Sequence, residues 1–249
     1  MTLAIMSALL DEQRGLLAHL SNPQRVQRAG RTFFCGRWGR HEVVLALTKV
    51  GKVAAATTTT TLIEAFGVDR VVFTGVAGGI GAGVNVGDVV VANAFIQHDM
   101  DSSPLFARYE LPLYGCASLA CDNQLTALLF DAAHTGLAGL GNHFHHEELL
   151  KAPNVHSGLI ASGDRFVSSA DDAAQVLSGL HGAGFDALAV EMEGAAVAQV
   201  CHDYGVPFAA VRTISDRADD QAHVDFSAFV TQVASPYAMA IVSQFIKTL

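Results

Sequence analysis

Charge is scarce in this chain, and basic charge is scarcer still. Charged residues make up 16% of the 249, with 15 Lys and Arg against 24 Asp and Glu, for a formal net charge of −9. No Lys/Arg cluster supplies a basic footprint, which argues against a phosphate backbone, and so nucleic acid, as partner. Cysteine is equally thin. Cys35, Cys116, Cys121 and Cys201 are scattered with no CxxC pair, so neither a disulfide scaffold nor a zinc knuckle is indicated, and reduced thiols in a cytoplasm fit best. The start MTLAIMSALLDEQRG has no basic leader and reaches Asp11 and Glu12 too early for a secretory signal. No uninterrupted apolar run reaches the ~18 residues a membrane span requires. These absences predict a soluble, intracellular protein. Repeats, low-complexity tracts and linkers long enough to separate domains are missing too, which leaves residues 1–249 as one domain.

What is abundant is apolar surface. Hydrophobic residues are 51% of the chain, more than an average soluble domain carries, so some of the outer surface is expected to be covered, most simply by a second copy. Apolar runs of strand length recur at 3–8, 41–50, 69–75, 87–96, 157–162, 186–191 and 206–214. Their apolarity is continuous rather than alternating, as in strands covered on both faces. Helical patterns lie between them at 9–20, 52–66, 121–138, 171–182, 193–204 and 225–247. This alternation predicts an α/β domain with a mostly parallel central sheet. The stretch 30–47 reads as an antiparallel hairpin, making the sheet mixed, and 97–120 has loop chemistry suited to a lid or a partner surface.

Several stretches are candidate sites. The glycine-dense 75-GVAGGIGAGVNVGD-88 contains neither GxGxxG nor GxxxxGK[ST] and leads into a strand rather than a helix. It is therefore either a structural turn or a place where backbone approaches a ligand closely. The cluster His143, His145, His146 and Glu147 lacks zinc spacing and reads as a polar loop, and so does 98-HDMD-101. Three acidic sites remain. Glu12 follows the first strand, where a carboxylate ordinarily complements a helix dipole. Asp216 closes the strand 206-VPFAAVRTISD-216, and Glu191 and Glu193 straddle the end of another. Carboxylates from three distant segments at strand ends, where open α/β sheets place ligands, are hard to explain as helix caps. Period-two alternation puts Glu191 and Glu193 on one face, but the chain turns helical near Gly194 and spacing alone does not choose between them.

The segments 51-GKVAAATTTTTLIEAF-66, 74-TGVAGGI-80, 162-SGDRFV-167, 190-VEMEGAAVAQVC-201 and 212-RTISDRAD-219, in that order, resemble the purine nucleoside phosphorylase/uridine phosphorylase superfamily, most closely its 5'-methylthioadenosine/S-adenosylhomocysteine nucleosidases. The resemblance spans nearly the whole chain. It implies a single nucleoside phosphorylase-like α/β domain, with a mixed central sheet forming a distorted barrel flanked by helices. It also implies a homodimer whose site is completed by residues near 102–115 of the neighbouring subunit, and no metal or organic cofactor. The implied reaction is hydrolysis of an N-glycosidic bond, releasing adenine and a thioribose.

By that resemblance Asp216 is the general acid on adenine N7, Glu12 the base acting on water, and Glu193 the ribose ligand. Phe166 stacks on adenine, the Val167 backbone bonds it, Met192 packs under the ribose, and Arg212 lies near ribose and water. Ala77, Gly78 and Ser215 join the substrate-binding set, Val50 and Phe226 flank the 5' end, and Leu105, Phe106 and Tyr109 enter the partner's site. Elementary chemistry agrees. A departing adenine leaves positive charge on the sugar, which an anion such as Glu193 stabilises more in the transition state than in the ground state. The leaving base must gain a proton, and Asp216 at an apolar strand end is the candidate acid. Phosphorylases of the hexameric type carry an arginine and a hydroxyl where this chain has Phe73 and Val76, so phosphate lacks a partner and water is the expected nucleophile. Many nucleosidases have a serine at the Val76 position, leaving water here to Glu12, Arg212 and backbone groups. A futalosine hydrolase, a phosphorylase and a non-catalytic nucleoside binder are the alternatives.

Overall fold

The computed structural model describes residues 1–138, 140, 153–218 and 226–249; the His143, His145, His146 and Glu147 cluster lies outside them. The chain runs β1 (Thr2–Ser7), α1 (Leu10–Leu17), β2 (Ser21–Arg28), β3 (Arg31–Trp38), β4 (His41–Leu47), α2 (Lys52–Phe66), β5 (Arg70–Gly79), β6 (Val89–Gln97), β7 (Ser118–Ala120) and α3 (Asn123–Ala138). It continues through β8 (Val155–Ser162), α4 (Ala170–Gly182), β9 (Ala187–Glu191), α5 (Gly194–Tyr204) and β10 (Phe208–Asp216). It ends in α6 (Phe226–Phe229), a π-helical turn (Val230–Ala234) and α7 (Ser235–Thr248).

Strand β5 organises the sheet. Its first residues pair in parallel with β1, its length pairs in parallel with β10, and Gly78 and Gly79 pair antiparallel with Val190 and Ala189 of β9. With β10 on β6, β6 on β8 and β8 on β9, strands β5, β10, β6, β8 and β9 close a mixed five-stranded barrel. From β5 the sheet also extends through β1, β4, β3 and β2. The continuous apolarity of β5 follows from this: Val71 and Phe73 pack in the core toward α2 and α5, while Val72 packs in the core beneath α3 and α7.

The helices cover the barrel. Thr57, Thr58, Thr59 and Thr61, poor helix formers in mid-α2, donate their hydroxyls back to carbonyls four residues earlier. Glycines at positive φ start and stop that helix, Gly51 (φ 95°) with an extended ψ and Gly67 (φ 61°) in the left-handed helical conformation. Phe226–Thr248 is long and apolar enough to cross a membrane by length and composition alone. Its polar interruptions face outward while Tyr237, Ala238, Ile241, Val242, Phe245 and Ile246 are buried in the core with α3.

Strand β2 has no apolar run, and its residues read as a connection from sequence. It exists because β3 offers a pairing edge: Arg25 lies opposite Phe34 and Arg28 opposite Arg31. Pro23, a register break between Ser21 and Gln24, and exposed Arg25 and Arg28 guard this outer edge against further pairing. The acidic total thus conceals a local basic concentration, since Arg14, Arg25, Arg28, Arg31, Arg37 and Arg40 fall in a stretch from 13 to 41 without any Asp or Glu. Arg25 and Arg28 project to opposite faces of the hairpin, so they do not build one footprint.

Candidate active site

The carboxyl ends of β1, β4, β5, β8, β9 and β10 converge on one cavity. After β1 the chain turns directly into α1, and Glu12, 2% exposed, folds back over that turn. Its Oε2 accepts from the N–H groups of Ala8 (2.9 Å) and Leu9 (2.8 Å), and its Oε1 accepts from Val76 N–H of β5 at 3.1 Å. Glu12 therefore both caps its helix and faces the cavity. Gly75 permits the approach, because a Cβ there would sit 3.0 Å from Glu12 Oε1 and 3.2 Å from Arg212 Nη1. Burial pushes the Glu12 carboxyl above its ordinary range, against the pull of its N–H donors and of Arg212.

Glu191 and Glu193 diverge where β9 gives way to α5. Glu191 lies in the cavity wall and accepts from Arg212 Nη2 at 2.6 Å, Glu193 N–H at 3.1 Å and Gly194 N–H at 2.8 Å. The Ser162 hydroxyl also donates to it, and Ser162 Oγ accepts from Ala195 N–H at 2.8 Å. Glu191 is thus the N-terminal anchor of α5 and the counter-ion of Arg212, whose guanidinium carbon lies 3.8 Å from the centre of the Phe73 ring. Glu193 turns into the cavity and accepts from Gly51 N–H at 2.8 Å. Burial first, then the neighbouring charge of Glu191, raises its carboxyl to about 8, with Glu12 adding to the rise and Gly51 N–H and Arg212 opposing it.

Asp216 follows a register break in β10 at Ser215, the kind of irregularity that re-aims a side chain. Ser215 Oγ donates to Asp216 Oδ2 at 2.7 Å and Ala218 N–H donates to Oδ1 at 2.7 Å. Gly78 makes room for this carboxylate, since a Cβ there would fall 3.1 Å from Oδ1.

The cavity encloses about 210 Å³. Glu12, Glu191, Glu193 and Asp216 line it together with Val50, Val76, Ala77, Gly78, Phe166, Val167, Met192, Ser215 and Phe226. The glycine-dense stretch divides accordingly: its beginning is cavity wall, and from Gly81 to Gly87 it is the turn into β6. Arg212 does not line the cavity but stands behind it, 1% exposed. Leu105, Phe106 and Tyr109 lie away from this chain's own cavity. Tyr109, which the resemblance assigns to a partner's site, is 1% exposed within this subunit and packs with Val167 and Leu180. A loop that carries an aromatic ring can bury it under its own chain, and this one does. Leu105, at 84% exposure, stays outside.

Sequence reasoning missed Ala8, Leu9, Arg165 and Val190 as lining residues. Ala8 and Leu9 carried a usable signal, lying directly past a strand end; Arg165 carried none. In the HDMD stretch, Asp99 pairs with Lys52 at 2.6 Å and Asp101 accepts from Ser103 N–H at 3.0 Å. Among the described residues no group of three His, Cys, Asp or Glu is placed to hold a metal ion.

Residues 2–247 match the phosphorylase superfamily. The 5'-methylthioadenosine/S-adenosylhomocysteine nucleosidase of Chromohalobacter salexigens is 37% identical, over 96% of this chain and 94% of its own. The aminodeoxyfutalosine nucleosidase of Helicobacter pylori is 35% identical, over 86% of this chain and 84% of its own. The crystal structure of the Neisseria meningitidis 5'-methylthioadenosine/S-adenosylhomocysteine nucleosidase, in complex with methylthio-immucillin-A, superposes with a TM-score of 0.87 at 34% identity, covering 100% of this chain and 99% of that one. The chain belongs to the phosphorylase superfamily, in the branch that holds the 5'-methylthioadenosine/S-adenosylhomocysteine nucleosidases.

Proposed function

We propose that this protein hydrolyses the N-glycosidic bond of 5'-methylthioadenosine and S-adenosylhomocysteine, releasing adenine and the 5'-thioribose. The observation that carries the reading is the convergence of Glu12, Glu193 and Asp216 on one apolar cavity beside Phe166 and Met192. Asp216 donates a proton to the purine as the C–N bond breaks, and Phe166 stacks on the base. Glu193 faces the ribose and stabilises the positive charge that builds on it. Glu12 takes the proton from the attacking water. Arg212 Nη1, buried without a hydrogen-bond partner among the described residues, lies with Glu12 at Gly75 and supplies positive charge behind that water. Val76 supplies a backbone N–H to Glu12 rather than a hydroxyl to the water.

Water is favoured over phosphate by the cavity's charge. Its one Lys or Arg among the described lining residues is Arg165, which is paired with Asp172. A phosphate dianion there would meet four carboxylates, Glu12, Glu191, Glu193 and Asp216, and no unpaired lining cation. The aminodeoxyfutalosine-cleaving relative at 35% identity supports a second reading, in which the same acid and ribose carboxylate serve a nucleoside with a larger 5' group.

A homodimer belongs to the proposal. It is supported by exposed Val53, Leu105 and Leu113, at 79%, 84% and 91%, apolar surface that a second copy would cover. A role in methionine salvage follows from the substrate, and a cytoplasmic setting from four free cysteines. The test is incubation with methylthioadenosine in phosphate-free buffer. Adenine is expected to appear at a rate that added phosphate does not raise. No adenine overturns the reading, and adenine that appears only with phosphate replaces hydrolysis by phosphorolysis.

A further inference from the structure

Outside the cavity, a ring of polar contacts ties together the loops that border it. Lys52, the first residue of α2, places Nζ 2.6 Å from Asp99 Oδ1 and donates to Gln97 Oε1 at 2.8 Å. The Lys52 backbone N–H donates to Asp164 Oδ1 at 2.7 Å, and Asp164 N–H donates to Asp99 Oδ2 at 2.9 Å. Gln97 extends the ring to α5 by donating to Gln199 Oε1 at 2.9 Å. Asp164 also abuts Gly51, where a Cβ would lie 3.1 Å from its Oδ1.

The ring joins two functional loops. One residue before Lys52, Gly51 N–H holds Glu193, and Val50 lines the cavity. Two and three residues after Asp164, Phe166 and Val167 line the same cavity. Lys52 and Asp99 retain side-chain exposures of 16% and 31%, so their ion pair adds little to folding stability. Its consequence is geometric.

We propose that Lys52, Asp99 and Asp164 form a positioning clasp that locks the ribose-side loop 49–52 to the base-side loop 163–167. Glu193 and Phe166 are thereby held in one fixed relation. The clasp rests on the nucleosidase reading above, and its residues act through Gly51 and Phe166 rather than on substrate. Glu193 is faced by Glu191 from β9, Arg212 from β10, Glu12 from α1 and Gly51 N–H from the clasped loop. Of these, Gly51 N–H is the contact the clasp controls, and losing it removes a donor that favours the ionised carboxylate.

The test compares Lys52→Met and Asp164→Ala with the full wild-type chain, using methylthioadenosine from pH 5 to 9. Expected are a fall in kcat/KM of roughly 10- to 100-fold, an acidic limb displaced to higher pH, a thermal midpoint close to wild type, and recovery of the limb in Lys52→Arg. Wild-type kcat/KM with an unmoved limb overturns the clasp, as does a loss of activity that merely tracks a lower midpoint. Hydrogen exchange gives a readout independent of turnover: Lys52→Met accelerates exchange in both 49–52 and 163–167 if the clasp exists, and leaves 163–167 unchanged if it does not. Wild-type protein that releases no adenine refutes the nucleosidase reading, and exchange then decides the clasp alone.

Discussion

Replacing Glu191 with glutamine should destabilise the fold far more than an isosteric change usually does. The side chains of Arg212 and Glu191 are 2% and 3% exposed, so loss of the carboxylate charge leaves a guanidinium in the interior without its counter-ion. Breaking such a pair from one side costs about 3–5 kcal/mol. The amide cannot escape this by hydrogen bonding. Both carboxylate oxygens accept from N–H donors at the start of α5, so a glutamine NH2 must face one of them, donor against donor. In a chain this long each kcal/mol lowers the midpoint by roughly 2–4 °C, which gives a fall of roughly 6–20 °C by calorimetry. Urea unfolding at neutral pH should show the loss as a lower midpoint at unchanged slope. The double variant Glu191→Leu/Arg212→Met removes both charges together and should recover much of the loss while remaining inactive. A Glu191→Gln protein within about 1 kcal/mol of wild type, or a double variant no more stable than the single, would refute the assignment of Glu191 as counter-ion and anchor. The same substitution removes one charge that raises the Glu193 carboxyl, so the acidic limb of activity should move to lower pH, opposite to the clasp variants.

Three further outcomes follow from the site. Asp216→Asn should lose roughly 10²–10⁴-fold in kcat while calorimetric titration still detects nucleoside binding; a near-normal rate removes Asp216 from the chemistry. Glu193→Gln should lower both affinity and kcat, yet improve folding at high pH. The folded carboxyl titrates at about 8 rather than 4.5, so the folded state binds the extra proton and wild-type stability falls as pH rises through that window. Urea midpoints at pH 5 and pH 8 should fall between the two values for wild type and hold for the variant, and parallel falls would contradict the assignment. Gly75→Ala should displace Glu12 or Arg212, because its Cβ would meet Glu12 Oε1 at 3.0 Å; kcat should drop by at least about tenfold, and an unaltered kcat would show that the spacing of these two groups is not critical.

Much of this arrangement can be read in the sequence, and the exceptions have physical causes. Barrel strands betray themselves because both faces are covered, which leaves runs such as Val71, Val72 and Phe73 with no polar alternation. Glu12, Glu193 and Asp216 stand out because an ionisable group at the end of such a run needs a reason. Strand β2 does not stand out, since Pro23 and its arginines are the features that protect an outer edge and they look like those of a loop. The parting of Glu191 from Glu193 is legible in the turn to helix near Gly194, although spacing does not say which of them takes Arg212. Alternation in β9 predicts one face for Glu191 and Glu193, but the strand ends at Glu191 and α5 begins at Gly194, so the backbone rotates between them. Tyr109 is legible only in part, since its loop reads as a lid or partner surface while the ring itself packs under α4.

The charge arrangement links the stability of the fold to its chemistry. Glu12, Glu191 and Glu193 share the neighbourhood of Arg212, so full ionisation would leave more buried negative charge than one guanidinium can offset. Glu191 takes Arg212 as its partner, and Glu12 is satisfied by three backbone donors. Glu193 is held by Gly51 N–H, while burial and the neighbouring Glu191 charge raise its carboxyl to about 8. An empty site therefore tends to keep a proton there near neutrality, and a ligand that brings positive charge to the cavity displaces it. In the proposed reaction that charge appears on the sugar only as the glycosidic bond breaks. The electrostatic cost built into the folded protein is thus relieved most at the transition state and least in the ground state, which is the condition for accelerating the chemical step rather than merely tightening binding.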